Sequence, residues 1–178
     1  MKLYICIYLS IMGLFFSSCT MDSTGSQGDD APILINEFMA SNQTDTILDE
    51  GGNAADWIEL YNNSDDPYNL KGLYLSDDST NVLKFALPDV EIPARGHHLL
   101  WADDDEEMGP NHVNFKLSAT DGEEIILSNG DSETIDRIIF YDNIQARQTN
   151  YSYGRTEDGS PDWDIQSTPT PEQPNTTD

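Results

Sequence analysis

The chain has 178 residues, with 33 Asp and Glu against 8 Lys and Arg, giving a formal net charge of −25. A field of that sign repels phosphate backbones and anionic membrane surfaces, so no nucleic-acid partner is expected, while cations and basic partners are favoured. Its two cysteines, Cys6 and Cys19, both stand near the start, which excludes a disulfide framework, a thiol nucleophile or a thiolate metal site in the rest of the chain.

Residues 1–18 have the layout of a cleaved secretory signal peptide. Met1-Lys2 is a short positive start, Leu3 to Phe16 is almost unbroken apolar sequence, and Ser17-Ser18 puts two small residues before Cys19. As a helix those 14 residues reach only about 21 Å, short of the roughly 30 Å hydrocarbon core, so a membrane span is not expected. Phe16-Ser17-Ser18-Cys19 resembles the bacterial lipobox and departs from it at Phe16. That resemblance implies that Cys19 is diacylated and becomes the new N-terminus, so that the membrane itself is a partner through the N-terminal lipid. Each buried methylene contributes about 0.8 kcal/mol, and two chains hold firmly. Residues 19–31 are dominated by Ser, Thr, Gly, Gln and Asp and are expected to form a flexible tether. Loss of residues 1–18 removes Lys2 and leaves 160 residues at a formal charge of −26, a size that buries about 70% of its unfolded surface in one core.

From Pro32 the texture changes to short apolar runs broken by Gly, Asn, Asp and Pro, which points to an all-β sandwich over residues 32–167. The runs that predict strands are Ile33 to Phe38, Trp57 to Asn62, Leu73 to Ser76, Val82 to Leu87, His97 to Ala102, Glu124 to Ser128 and Thr134 to Tyr141. In Trp57 to Asn62, Ile58 and Leu60 fall on one face and Trp57, Glu59 and Tyr61 on the other, because successive side chains leave a strand on opposite sides. Turn chemistry separates the runs at 62–67, 93–96, 129–131 and 157–161. Residues 168–178, with Pro169, Pro171 and Pro174, are expected to be a disordered, frayed tail.

Eight strings in order resemble the lamin tail domain, an immunoglobulin-like sandwich found in nuclear lamins and in many secreted bacterial proteins. They open with Ile35-Asn36-Glu37-Phe38-Met39-Ala40-Ser41-Asn42 and with Asp56-Trp57-Ile58-Glu59-Leu60-Tyr61-Asn62, the most distinctive. Leu70 to Asp78, Ile92-Pro93-Ala94-Arg95-Gly96, Asn114 to Ser118 with Gly122-Glu123-Glu124, and Ile135 to Ile138 follow. Ser152-Tyr153-Gly154-Arg155 with Asp158-Gly159 and Trp163, then Thr168-Pro169-Thr170-Pro171, complete the set. Two departures are visible. Arg95 stands where the family more often has a first glycine, and Thr170 stands where Thr-Pro-Gly is usual. The resemblance implies an immunoglobulin-like β-sandwich. Gly72, Gly96, Gly122, Gly130 and Gly154 fall where tight turns ask for positive φ, Trp57, Trp101 and Trp163 are large enough to seed packing, and Glu59 and Arg155 are candidates for a cross-strand ion pair.

Chemistry-bearing clusters are few. Asp103-Asp104-Asp105, followed by Glu106-Glu107, and Asp77-Asp78 are weak oxygen-ligand candidates for Ca²⁺, lacking the spacing and glycine of an EF-hand; no other cofactor is expected. His97 and His98 are adjacent on a predicted strand, so their rings leave on opposite faces, and with His112 alone elsewhere zinc hydrolysis is not supported. No Gly-x-Ser-x-Gly elbow is present, and an abundance of carboxylates is not evidence for a glycosidase pair. Tyr61, Tyr74, Tyr151 and Tyr153 are the candidate binding residues, since aromatic side chains among polar loops stack on sugars or anchor a protein. The expectation is a non-catalytic, lipid-anchored domain of the bacterial cell envelope, on the outer membrane or cell surface, that mediates protein or glycan interaction. The alternatives are a purely structural envelope lipoprotein and a Ca²⁺-stabilised accessory domain of an extracellular hydrolase system.

Overall fold

A computed structural model describes residues 31–118, 123–140 and 148–176. The expected signal peptide, Cys19, nearly all of the tether, Gly122 and Tyr141 lie outside these residues. The alternating runs become antiparallel strands: β1 (Ile33–Met39), β2 (Trp57–Asn62), β3 (Tyr68–Asn69), β4 (Leu73–Ser76), β5 (Phe85–Ala86), β6 (Glu91–Ile92), β7 (His97–Trp101), β8 (Glu123–Asn129), β9 (Thr134–Phe140), β10 (Ser152–Arg155) and β11 (Trp163–Gln166). The only helical element among the described residues is a 3-10 turn, Glu106–Met108. A five-stranded sheet runs β11-β10-β1-β2-β7, a four-stranded sheet runs β5-β4-β8-β9, and β3 pairs with β6 in a small ribbon.

Between the two larger sheets lies the main core. Ile33, Ile35, Phe38, Ile58, Leu60 and Leu100 face Leu73, Leu75, Ile125, Leu127 and Phe140, and Val113, Phe115 and Leu117 close one end. Each side chain of this kind contributes about 1.5–3 kcal/mol when fully buried. Phe38 is central: its ring lies 4.6 Å from that of Phe140, 5.9 Å from Tyr153 and 6.3 Å from Trp163.

Three local differences from the sequence expectation have physical causes. The predicted strand Val82 to Leu87 shortens to Phe85–Ala86, because hydroxyls take the backbone carbonyls just before it: Ser76 Oγ donates to Asn81 at 2.9 Å and Ser128 Oγ to Val82 at 2.6 Å. Gly72 does occupy the left-handed region, at φ 88, whereas the residue that does so in the 93–96 turn is Arg95, at φ 55, and not Gly96; Gly130 and Gly154 do not adopt positive φ either. The third concerns β2, whose alternation sets Ile58 and Leu60 apart from Trp57, Glu59 and Tyr61. All six of its residues are buried, as are all seven of β1, because the outer side of the five-stranded sheet is covered as well. At one end Met39, Trp57, Trp101 and Ala55 make a second apolar cluster.

The segment 168–176 covers the middle of that sheet. The expected disordered tail is thus corrected: its backbone is held by buried carboxylates, and Asn175 is itself buried.

Phe38→Ala removes the aromatic centre of the core, and we expect it to cost about 3–5 kcal/mol, read as a lower denaturant midpoint with an unchanged slope.

Candidate functional site

Two regions concentrate polar chemistry, one on the covered sheet and one at the loop end of the sandwich. On the sheet, β1 and β2 place Glu37 opposite Glu59, with a register shift between Ile35 and Glu37 that leaves Asn36 as the extra residue. Both carboxylates are fully buried. Glu37 accepts from Ser152 Oγ, from the Thr170 backbone N–H at 3.1 Å and from Thr170 Oγ1 at 2.9 Å. Glu59 accepts from Asn36 Nδ2 at 3.0 Å and from the Glu172 N–H at 2.5 Å. Asp158 accepts the Asn175 N–H at 2.9 Å and Asn36 Nδ2 at 3.0 Å, and faces His97 Nε2 at 3.1 Å. Three carboxylates therefore hold three backbone N–H groups of one segment, which turns at 170–173 with Glu172 at φ 59. Asn175 then donates through Nδ2 to the carbonyls of Arg155 at 2.8 Å and Asn36 at 3.2 Å. Gly154 makes the space, since a Cβ there would come within 2.6 Å of Gln166 Nε2 and 3.1 Å of Asn175 Nδ2.

Arg155 does not pair with Glu59. Its Nη2 donates to Asp136 Oδ2 at 2.9 Å, its Nε to the Ile35 carbonyl at 2.8 Å and its Nη1 to the Ser160 carbonyl at 2.6 Å. Asp136 Oδ2 also accepts the Ile35 N–H at 2.8 Å. The expected pair fails because the Arg155 side chain leaves β10 toward the four-stranded sheet, while Glu59 leaves β2 toward the covering segment.

Burial raises the pKa of Glu59 to about 8 against the opposing hydrogen bonds, and raises that of Glu37 in the same sense. For His97 burial acts downward, but Asp158 and Glu59 outweigh it and hold its pKa above 6.5. Asp158 goes the other way: hydrogen bonds from His97, Asn175 and Asn36 overcome burial and depress its pKa. A raised folded pKa gives stability that is complete below the unfolded value and is lost as pH rises through the folded one. Glu59 therefore weakens the covering contact as pH rises from about 5 to 8, and Glu37 and His97 act in the same direction above their unfolded values, while the Asp158 contribution is lost only below about pH 4.

At the loop end, residues 41–56 and 102–117 meet. Asn42 organises the first loop, donating through Nδ2 to the carbonyls of Ile47 at 2.9 Å and Ala55 at 2.8 Å. The second loop brings His112 against Trp101 and Asp103 against Lys116 as isolated bridges. His112 is 1% exposed, with Nδ1 at 2.8 Å from Asp103 Oδ2 and Nε2 at 3.1 Å from Glu50 Oε2. Burial pushes its pKa down, and the two carboxylates outweigh that and raise it. Among the described residues, Asp49, Asp103 and His112 are the one group of three whose potential ligand atoms lie within 4.8 Å of one another.

The sequence candidates separate accordingly. Of Asp103, Asp104 and Asp105, only Asp103 turns inward; Asp104, at φ 58, and Asp105 are exposed. Asp77 is neutralised by Lys84 Nζ at 2.6 Å, and Asp78 Oδ1 accepts from Thr80 N and Oγ1 at 2.8 and 2.7 Å, so these two do not converge on a common point. Tyr61 is buried with its ring 5.1 Å from His97, on the covered face. Tyr153 packs on Phe38 and Trp163, on the core side of the same sheet. Tyr74 belongs to the four-stranded sheet, opposite Ala86 and Ser128, and Tyr151 is half-buried ahead of β10. These four tyrosines do not share one face. Sequence reasoning passed over Asp49, Glu50, Leu48 and Met108. Leu48 and Met108 are each 39% exposed, on the two loops that His112 joins, and the Met108 methyl lies over Gly51, within 2.7 Å of where a Cβ would stand.

Protection of the Thr170, Glu172 and Asn175 amides against hydrogen exchange, corrected for intrinsic rate, should fall between pH 5 and pH 8, together with the denaturant midpoint. A midpoint that rises over that range would contradict the sign derived for the buried glutamates.

No curated protein matches the chain. The sequence model of the Lamin Tail Domain matches residues 26–142, about two thirds of the chain and most of the two-sheet body described above. Lamin tail domains are immunoglobulin-like domains that typically mediate interactions. An antiparallel two-sheet body whose opening strands carry the paired Glu37 and Glu59, matched over that length, makes this chain a member of the lamin tail domain family.

Proposed function

We propose that the chain is a non-catalytic interaction module of the bacterial cell envelope, held to the membrane by a lipid on Cys19, that binds a basic protein partner through its loop end. The observation that carries this reading is the chemistry of that end. Leu48 and Met108 are exposed apolar side chains on adjoining loops that also carry exposed Asp45, Glu50, Asp104, Asp105, Glu106 and Glu107. Apolar anchors among acidic side chains suit a partner with a complementary apolar anchor and positive flanks. A protein partner is favoured over a glycan because the four candidate tyrosines do not gather into a stacking surface.

The non-catalytic part rests on the buried carboxylates. Glu37 and Glu59 sit side by side, but each is engaged by the covering segment, so these two do not face a cleft as a paired acid and base. The lipid anchor rests on the Phe16-Ser17-Ser18-Cys19 string, and the outer membrane or cell surface is the location it implies.

Two measurements test this. An array of basic peptides, proteins and glycans probed with the chain from Asp30 onward should give hits that weaken with salt and lose at least about tenfold, roughly 1.4 kcal/mol, in the Leu48→Asp/Met108→Asp variant. Silence across the array at high micromolar concentration would favour the purely structural envelope role, and hits confined to components of one hydrolase system would favour the accessory role. Separately, Cys19→Ser should abolish incorporation of labelled fatty acid and move the protein from the membrane to the soluble fraction; retention in the membrane would end the anchoring proposal.

A further inference from the structure

We propose that Asp49, Asp103 and His112 form a binding site for a divalent transition-metal ion of the zinc type, which pins the loop 41–56 to the loop 102–117. Three elements of the fold contribute. Asp49 stands at the turn of the first loop, where its carboxylate accepts from the Asn53 N–H at 2.7 Å. Asp103 follows β7 directly, and His112 is fixed beside Trp101 by the bridge that returns the second loop to the sheet. All three potential ligand atoms lie within 4.8 Å of one another, from residues that are buried or half-buried.

The donor set selects the ion. Calcium takes six to eight oxygen ligands, whereas an imidazole nitrogen with two carboxylate oxygens suits zinc, with bonds of about 2.0–2.2 Å and a fourth position for water. Tetrahedral bonds of that length place ligand atoms about 3.3 Å apart, so the three atoms must draw together by at most roughly 1.5 Å. Asn53 donates to both Asp49 oxygens, through its N–H at 2.7 Å and its Nδ2 at 3.0 Å, so coordination by Asp49 exchanges the side-chain bond for the ion.

Outside the three ligands, the structure supplies a supporting group. Both ring nitrogens of His112 face carboxylates, Asp103 on one side and Glu50 on the other. When Nδ1 takes the ion beside Asp103, the Nε2–H still has Glu50 as its acceptor, the carboxylate–histidine–metal arrangement that orients a ligating ring. Asp104 and Asp105 point to solvent and are not ligands, which separates this site from a calcium loop made of consecutive aspartates.

The test uses the full chain in mild detergent, titrated with ZnCl₂, MnCl₂ and CaCl₂ by calorimetry and thermal unfolding. Zinc should bind one ion per chain and raise the unfolding midpoint by about 5–10 °C at one hundred times its Kd, reversed by chelator. Calcium should give no comparable shift. Asp49→Asn and Asp103→Asn should each weaken zinc at least about tenfold with the circular dichroism unchanged, as expected for loss of a first-coordination ligand; Asp104→Asn/Asp105→Asn should leave it unchanged. His112→Gln should also lose the ion, and the two aspartate variants decide the matter if removal of the buried ring prevents folding. The proposal is overturned by no one-to-one zinc isotherm, by zinc binding that survives Asp49→Asn, or by binding that follows Asp104 and Asp105 instead.

Discussion

Arg155 and Asp136 hold the two sheets in one arrangement, and the rest of the fold depends on what they do for the backbone of Ile35. Strand β10 pairs with β1 only at Glu37 and Phe38, and the bulge at Asn36 ends that ladder. The N–H and C=O of Ile35 would then face the interior without partners, at a cost of about 1–3 kcal/mol each. Asp136, from the opposite sheet, accepts the N–H, and Arg155 donates to the C=O while bonding Asp136 itself. Two fully buried charges carry a desolvation penalty of several kcal/mol each, and it is offset only when every donor is used in good geometry. Here the guanidinium spends its three nitrogens on Asp136, Ile35 and Ser160 and lies over the Trp163 ring, 5.1 Å from its centre. The sandwich is thus tied across its layers by a polar link as well as by apolar packing.

That link explains why the five-stranded sheet is buried on both sides. With β10 turned so that Arg155 faces inward, Ser152 and Gly154 face outward beside Glu37, and Glu37, Glu59 and Asp158 are left on that outer face in need of donors. Residues 168–176 bring the missing donors. Their prolines remove only N–H groups that the carboxylates do not use, so the composition that reads as a loose end is compatible with a fixed cover.

Much of this was legible from residue order. Alternation sets Ile58 and Leu60 on one face of β2, which is its core face, and the motif strings were enough to suggest the sandwich. What failed to show in the sequence depends on distance in space. Nothing local marks Asn36 as a bulge, so the partners of Glu59 were misassigned to Arg155. The Thr170 to Asn175 segment carries the signature of a frayed end because the glutamates that hold Thr170 and Glu172 lie more than 100 residues earlier. Asp49 and His112 are loop residues in separate runs, and only the return of the second loop to β7 brings them together. The acidic string 103–107 was visible, but which of its members turns inward is decided by the backbone at Asp104.

The direction of β1 carries a consequence for how the domain is presented. The chain enters the sandwich beside the 62–66 turn, where the Asn63 N–H donates to the Pro32 carbonyl at 2.9 Å, and β1 then runs its seven residues to Met39 before the loop that bears Leu48 begins. At about 3.3 Å per residue that is a lever of roughly 20 Å. Strand polarity thus separates the point where the chain enters the sandwich from the loops that bear Leu48 and Met108, so a molecule fastened by its leading end would keep those loops away from its attachment.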